Sequence, residues 1–184
     1  MIDPSSLRNE VLSKADIAHK IQRIAFEILE AHPHDPLAFV GIHTRGVVLA
    51  QRVYDCLTPH RGDIVQGTLD IALYRDDLDN LGTIPSIRGS DLPFPVEGAH
   101  IILFDDVLFT GRTIRAALDE LIDYGRPAKI ELAVLVDRGN RELPIGPDYI
   151  GHRMNTSRGE HVRVLFDDID GAEGVYLIIG GPGS

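Results

Sequence analysis

Ile101-Ile102-Leu103-Phe104-Asp105-Asp106-Val107-Leu108-Phe109-Thr110-Gly111-Arg112-Thr113 is the stretch on which the reading of this chain turns. It leads from a buried-strand pattern, His100 to Phe104, through two acids and a Thr/Gly turn into a helical pattern from Thr113 to Tyr124. That helix stops at Gly125, with Pro127 just beyond. Ligands of open α/β sheets bind at the carboxyl ends of strands. The first N–H groups of a helix lack internal partners and carry partial positive charge, so Thr110 to Thr113 forms a cup for a phosphate. Asp105 and Asp106 are acceptor-only groups when ionised and stand where adjacent hydroxyls of a ribose would donate to them. An Asp pair at a strand end also fits a metal site or a receiver-type phosphorylation pocket, and Thr-Gly alone fits a plain turn with an N-cap. A P-loop is disfavoured because no Gly-Lys-Ser/Thr ending is present, and no Gly-x-Gly-x-x-Gly fingerprint follows a strand.

Outward from this segment the pattern alternates. Ser13 and Asp16 form a capping box that opens a helix, and Ile17, Ile21, Ile24, Ala25, Ile28 and Leu29 recur on one face. Phe26 falls on the opposite side, as an exposed aromatic or a contact between subunits. Leu37 to Ile42 reads as a strand, His43-Thr44-Arg45-Gly46 as a tight loop, and Val47 to Leu57 as a helix. Thr68 to Leu73 and Ile130 to Val136 read as further strands, and Val162 to Phe166 with Val175 to Ile179 as a terminal hairpin. Tyr74 to Pro95 holds Gly82, Pro85, Gly89 and Pro93 without a sustained period, the mark of a lid or binding loop. Strands alternating with helices predict βαβ units and a largely parallel sheet flanked by helices, an α/β fold. We expect one domain over 1–184, with a flexible loop at about 75–95 and a disordered tail at 180–184.

With 184 residues and 43% hydrophobic content, the chain can bury one core. Cys56 is the only cysteine, which excludes an internal disulfide and a Cys-type zinc site and suits a reducing, cytoplasmic setting. The first residues lack the flank and apolar run of a secretory signal, and no stretch approaches the ~20 apolar residues of a membrane span. A net charge of -10 argues against indiscriminate binding to nucleic acid. Fifteen of the eighteen basic residues are arginine, the side chain best shaped for phosphate, and five of them fall between Arg138 and Arg163, the one locally positive stretch. His32, His34 and His43 read as scattered surface residues rather than a metal site.

The apolar strand, Asp-Asp and Thr-Gly-x-Thr series resembles the phosphoribosyl-pyrophosphate (PRPP) signature of type I phosphoribosyltransferases. His43-Thr44-Arg45-Gly46, Leu73-Tyr74-Arg75-Asp76-Asp77-Leu78, Val136-Asp137-Arg138-Gly139 and Arg141-Glu142-Leu143-Pro144-Ile145 narrow the resemblance to one branch. Its members combine uracil phosphoribosyltransferase activity with regulation of the pyrimidine operon. The resemblance runs from about Ile17 to Phe166.

It implies a fold with a small hood and a flexible loop, and a reaction of uracil with PRPP to give uridine monophosphate (UMP) and pyrophosphate. Asp105 and Asp106 would hold the ribose hydroxyls, with Val107, Leu108, Phe109, Thr110, Gly111, Arg112 and Thr113 around the 5-phosphate. Thr44, Arg45 and Gly46 would form the pyrophosphate loop; Arg45 would act catalytically beside the two acids, and Arg75 would help close the long loop. Asp137, Arg138, Tyr149 and Ile150 would border the base. The implied metal is Mg²⁺ carried by PRPP, with no cage of its own. Purine-using relatives carry an acid where this chain has Phe109, so the resemblance favours a pyrimidine. It further implies binding of UMP or UTP and of pyr leader mRNA, through Arg23 and Arg141, and a homodimer or higher homo-oligomer. RNA-binding members are expected to differ at Gln22, Phe26, Asn140, Gly146 and His152. A nucleotide-sensing RNA attenuator with little turnover is the alternative, and a purine or orotate enzyme a third.

Overall fold

In chain order the elements are β1 (Glu10–Leu12), α1 (Lys14–Ala31), β2 (Ala38–Ile42), α2 (Arg45–Leu57), β3 (Val65–Leu69), β4 (His100–Leu108), α3 (Arg112–Tyr124), β5 (Lys129–Asp137), β6 (Tyr149–Arg153), β7 (Glu160–Leu165), α4 (Asp167–Asp170) and β8 (Gly174–Ile179). They are seen in a computed structural model that describes residues 9–71, 89–157 and 159–179. Arg75, most of the expected 75–95 loop and the 180–184 tail lie outside the described residues.

Five strands form a parallel sheet in the order β3-β2-β4-β5-β6. Its central strands read as unbroken apolar runs because both faces are covered. Side chains alternate across the sheet: Ile102 and Phe104 pack with Ile17, Ile24 and Ile28 of α1 and Leu49 and Val53 of α2. Ile101 and Leu103 pack with Ile114, Ala117 and Leu121 of α3 on the other face. A three-stranded antiparallel sheet, β1-β8-β7, forms the hood, with α4 between β7 and β8.

The capping box that opens α1 is formed: Ser13 Oγ accepts from the Asp16 N–H at 3.2 Å, and Asp16 Oδ2 accepts from the Ser13 N–H at 3.0 Å. The apolar face of α1 is buried as the spacing predicts. Phe26 stands out from it, 51% exposed, edge-on to His60.

Several boundaries differ from the sequence reading. β4 continues to Leu108, so the two acids belong to the end of the strand rather than to the turn after it. The ladder with β5, Asp105 opposite Val134 and Val107 opposite Val136, keeps them extended. β3 ends at Leu69 because its register is set by β2, Ala38 opposite Val65 and Ile42 opposite Leu69. The expected loop is anchored before Pro95, since Thr68 and Asp91 exchange both backbone hydrogen bonds at 2.8 and 2.9 Å. β1 and β6 were not anticipated; β6 is an edge strand whose Tyr-Ile-Gly-His-Arg sequence lacks an apolar run.

Gly46 fixes how α2 meets the sheet. A Cβ there would lie 2.3 Å from the Phe104 carbonyl oxygen and 3.2 Å from Asp105 Cα. Gly46→Ala should therefore push α2 away from β4 and cost about 1–3 kcal/mol of stability, as overpacking does. Urea unfolding of the two proteins measures it, and equal midpoints would show that the approach is not needed.

Candidate active site

The carboxyl ends of β2 and β4 open into a cleft of about 190 Å³ lined by Ile42, His43, Thr44, Arg45, Ile71, Asp105, Asp106, Val107 and Thr113. Two helices start at this cleft. α2 begins after Thr44 and α3 after Gly111, and neither receives a side-chain hydrogen bond from its N-cap residue. Their first N–H groups carry the positive ends of the helix dipoles, so the cleft is built for anions. Gly111 adopts φ 94°, a conformation that glycine takes without steric cost, and thereby turns the chain from β4 into α3.

Asp105 is buried, and its Oδ1 accepts the Asp106 N–H at 2.9 Å. Asp106 is half-buried beside it. Burial pushes the Asp106 carboxyl above the usual carboxylate value; the hydrogen bond to Asp105, the charge of Arg45 and backbone N–H groups oppose that rise. Arg45 is anchored from the hood: its Nη2 donates to Asp170 Oδ1 at 2.6 Å and its Nε to Asp170 Oδ2 at 3.3 Å. His43 Nδ1 is buried and has no hydrogen-bond partner among the described residues.

The remaining residues of the β4–α3 segment divide by role. Leu108 is core, 1% exposed, and its carbonyl accepts the Arg138 N–H at 3.1 Å. Thr110 offers its carbonyl to the N–H groups of Glu142 and Leu143, at 3.0 and 3.1 Å. Arg112 pairs with Glu142 at 2.8 Å, while its N–H donates to Thr110 Oγ1 at 3.3 Å. Phe109 is partly exposed, and the Arg138 guanidinium lies 3.8 Å over its ring. Arg138 is itself buried, donating from Nε to Thr156 Oγ1 at 3.0 Å and from Nη2 to the Glu160 carbonyl at 2.7 Å.

Tyr149 and Ile150 are not brought to this corner. They begin β6 and pair with Ala133 and Val134, whereas the carboxyl end of the sheet is marked by Asp137 and Arg153. The Tyr149 hydroxyl lies 3.1 Å from His32 Nε2, at the amino end of the sheet, and the Ile150 carbonyl accepts from Arg23 at 2.6 Å. The segment that does reach the carboxyl end follows β6: Met154 N–H donates to the Asp137 carbonyl at 2.9 Å, and Thr156 and Glu160 hold Arg138. The rule that ligands sit beyond strand ends would have pointed to residues 154–160 once β6 was recognised.

Arg23 and Arg141, the two expected RNA contacts, both serve internal clamps. Arg23 donates to Glu27 and to the carbonyls of Ile150 and Gly151, tying α1 to the edge strand. Arg141 donates to the carbonyls of Phe109, Gly139 and Ile145 and to Asp137 Oδ1, at 2.5–3.1 Å.

Solved structures with this fold include phosphoribosyltransferases. The hypoxanthine phosphoribosyltransferase of Trypanosoma cruzi superimposes with a TM-score of 0.74 over 97% of this chain and 94% of its own, at 15% identity. That of Staphylococcus aureus gives 0.72, over 97% and 94%, at 16% identity. The family model described as "Phosphoribosyl transferase domain" matches residues 8–167, and the chain belongs to that family, with the type I fold. Two curated relatives place it more narrowly. The "Bifunctional protein PyrR" of Thermus aquaticus is 49% identical over 170 residues, covering 91% of this chain and 94% of that protein. The protein of the same name from Syntrophobacter fumaroxidans is 50% identical, covering 91% of each. The chain is a member of the PyrR family. No helix among the described residues is long and apolar enough to cross a membrane.

The raised carboxyl of Asp106 has a measurable consequence. Between the ordinary value of 3.8 and the raised folded value, the folded protein retains a proton that the unfolded chain releases. The cost of the buried charge is therefore present above that interval and relieved as pH falls through it. Asp106→Asn should raise the unfolding midpoint of the ligand-free protein at about pH 7, with the gain closing toward about pH 4. A variant less stable than the parent at neutral pH would contradict this account of the site.

Proposed function

We propose that this chain transfers the phosphoribosyl group of PRPP to uracil, giving UMP and pyrophosphate, and that it also regulates a pyrimidine operon in response to UMP or UTP. The observation that carries the catalytic reading is the cleft itself, where two acids meet two helix starts at one sheet end. Such a corner suits a ligand with adjacent hydroxyls flanked by phosphates on either side. The α3 start would receive the 5-phosphate, Asp105 and Asp106 the ribose hydroxyls, and the Thr44–Gly46 turn the pyrophosphate.

In the proposed reaction a uracil ring nitrogen attacks the anomeric carbon as the bond from that carbon to pyrophosphate breaks, and the proton of that nitrogen passes to solvent. Positive charge grows on the ribose ring, and negative charge on the leaving group. Arg45 and the N–H groups that open α2 offset the negative charge, and the Asp106 carboxylate lies on the side of the developing cation. These groups are fixed before the substrate arrives, which is what makes them effective. The oxygen-only donors of the Asp pair suit Mg²⁺, which keeps several waters and is bound through few protein ligands. Mg²⁺ entering with PRPP would add charge neutralisation for the pyrophosphate. Arg75 stands within the segment expected to close over the substrate, outside the described residues.

Phe109 and the overlying Arg138 would form the wall nearest the base, with Asp137 at the neighbouring strand end. Phe109 offers an aromatic face and no carboxylate to a purine ring proton, which favours a pyrimidine. The regulatory half of the proposal rests on the relatives, whose name calls them bifunctional. Binding of the leader RNA would need Arg23 and Arg141 to share or exchange their internal partners, since both are engaged. Contact across copies of the chain is where the exposed Phe26 would serve in the expected homo-oligomer.

Incubation of the protein with labelled uracil, PRPP and Mg²⁺ should yield UMP, whereas hypoxanthine or orotate should not replace uracil. Asp106→Asn should lower kcat/KM for PRPP by about 10–100-fold, the loss expected for a charged hydrogen-bond partner. In parallel, a pyr leader RNA should shift in a gel more strongly with UMP than without. Tight nucleotide-dependent RNA binding without any UMP product would favour the attenuator reading instead.

A further inference from the structure

The pole of the sheet opposite the active site carries a second group of polar side chains that the reaction does not use. His32, read from the sequence as a scattered surface residue, is 6% exposed. It follows the last turn of α1, and its backbone N–H closes that helix on the Ile28 carbonyl. Its neighbours are His100, at the first position of β4, and Glu131, near the start of β5, so parallel pairing delivers both to the amino end of the sheet. Asp35 follows His32 in the turn before β2. One donor atom each from His32, Asp35 and His100 lie within 4.8 Å of one another.

The contacts around the two imidazoles form an ordered pattern. His32 Nδ1 is 2.9 Å from Asp35 Oδ2, and His32 Nε2 is 2.7 Å from Glu131 Oε2. His100 Nε2 lies 2.8 Å from the same Glu131 oxygen, and the two rings meet edge to face at 4.6 Å. Glu131 Oε1 accepts from Lys129 at 2.8 Å. A neutral imidazole has one N–H, yet His32 faces carboxylate oxygens at both nitrogens. If both rings donate Nε2–H to Glu131, the lone pairs of both Nδ1 atoms remain, with the Asp35 carboxylate beside one of them. A cation held where donor atoms of His32, Asp35 and His100 converge satisfies the acceptors that a second proton would otherwise have to satisfy.

We propose that His32, Asp35 and His100 bind a divalent transition ion of the zinc type, with Glu131 orienting both imidazoles from behind. Two nitrogens and one carboxylate oxygen match the ligand chemistry of zinc, and a carboxylate on the far nitrogen of a ligating histidine is the usual support for such a site. Three protein ligands leave a coordination position open. The cluster borders a cavity of about 560 Å³, lined also by Leu37, Val65 and Phe94, through which an ion can enter. His100 stands six residues from Asp106 along β4, roughly 20 Å at strand spacing, so this ion is separate from any Mg²⁺ that accompanies PRPP.

The test uses untagged full-length protein, dialysed against chelator and titrated with Zn²⁺ in a calorimeter. Co²⁺ absorption serves as a second readout of coordination geometry. We expect one saturable Zn²⁺ per chain, weakened about 10–100-fold or lost in H100Q and in D35N, and weakened in E131Q through misoriented rings. H100Q is the primary variant because His100 is part-exposed; its thermal melt without metal and its phosphoribosyl transfer should match the parent. No saturable binding, or Zn²⁺ affinity unchanged in both H100Q and D35N, would overturn the assignment.

Discussion

The site depends on a backbone contact that leaves no room for a side chain. Gly46, in the first turn of α2, lies against the Phe104 carbonyl and Asp105 Cα of β4. This approach brings the start of one helix onto the strand that carries the two acids, while α3 rises from the end of that same strand. Gly41, in β2, repeats the constraint from the strand side, since a Cβ on it would lie 2.4 Å from Val47 Cα. Parallel pairing of β2 with β4 then fixes the heights of the two helix starts. The α2 start would not meet the two acids if α2 sat a side chain's width further out.

Arginines hold what the sheet alone does not. Arg45 is fixed to Asp170, so the hood sets its position as much as α2 does. Arg138 and Arg141 gather the ends of β4 and β5, the Phe109 carbonyl and the segment after β6 into one wall. Arg52 does the same for the hood, through Asp168 and Glu173. A planar guanidinium with five N–H donors can bridge several carbonyls and a carboxylate at once, which lysine cannot. Among the described residues, several of the arginines read as suited to phosphate thus serve as internal scaffolding.

Long periodic segments were legible because burial on both faces writes itself directly into composition. α1, α2 and α3, the central strands and the terminal hairpin all follow from apolar spacing, and so does the placement of the acids beside a helix start. β6 was not legible: an edge strand of Tyr, Ile, Gly, His and Arg gains its ladder from β5 without an apolar run of its own. Tyr149 and Ile150, expected to border the base, instead open that strand and stand away from the carboxyl end of the sheet. The environment of His32 was equally hidden, since Glu131 and His100 reach it only through strand pairing. Leu108, within the signature segment, proved to be core, because β4 runs on past the acids.

Local costs in this fold concentrate at the cleft. Asp106 bears a charge that burial disfavours, His43 Nδ1 is buried without a partner among the described residues, and neither Thr44 nor Gly111 caps its helix with a side chain. Elsewhere the chain resolves similar demands locally, as Ser13 and Asp16 do at the start of α1. Glu120 Oε2, further along α3, is likewise buried without a partner among the described residues, but only at the cleft does an open polar group stand beside paired acids and two helix starts, the combination that marks a functional site. The nature of each opening specifies what fits it: acceptors for hydroxyls, helix N–H groups for phosphate, and a cation held at the rim. A sugar bearing phosphates on both sides answers all three demands at once. In the proposed reading the arrangement is therefore tuned to the whole ligand rather than to the base alone, and discrimination between bases would fall to Phe109 and Arg138.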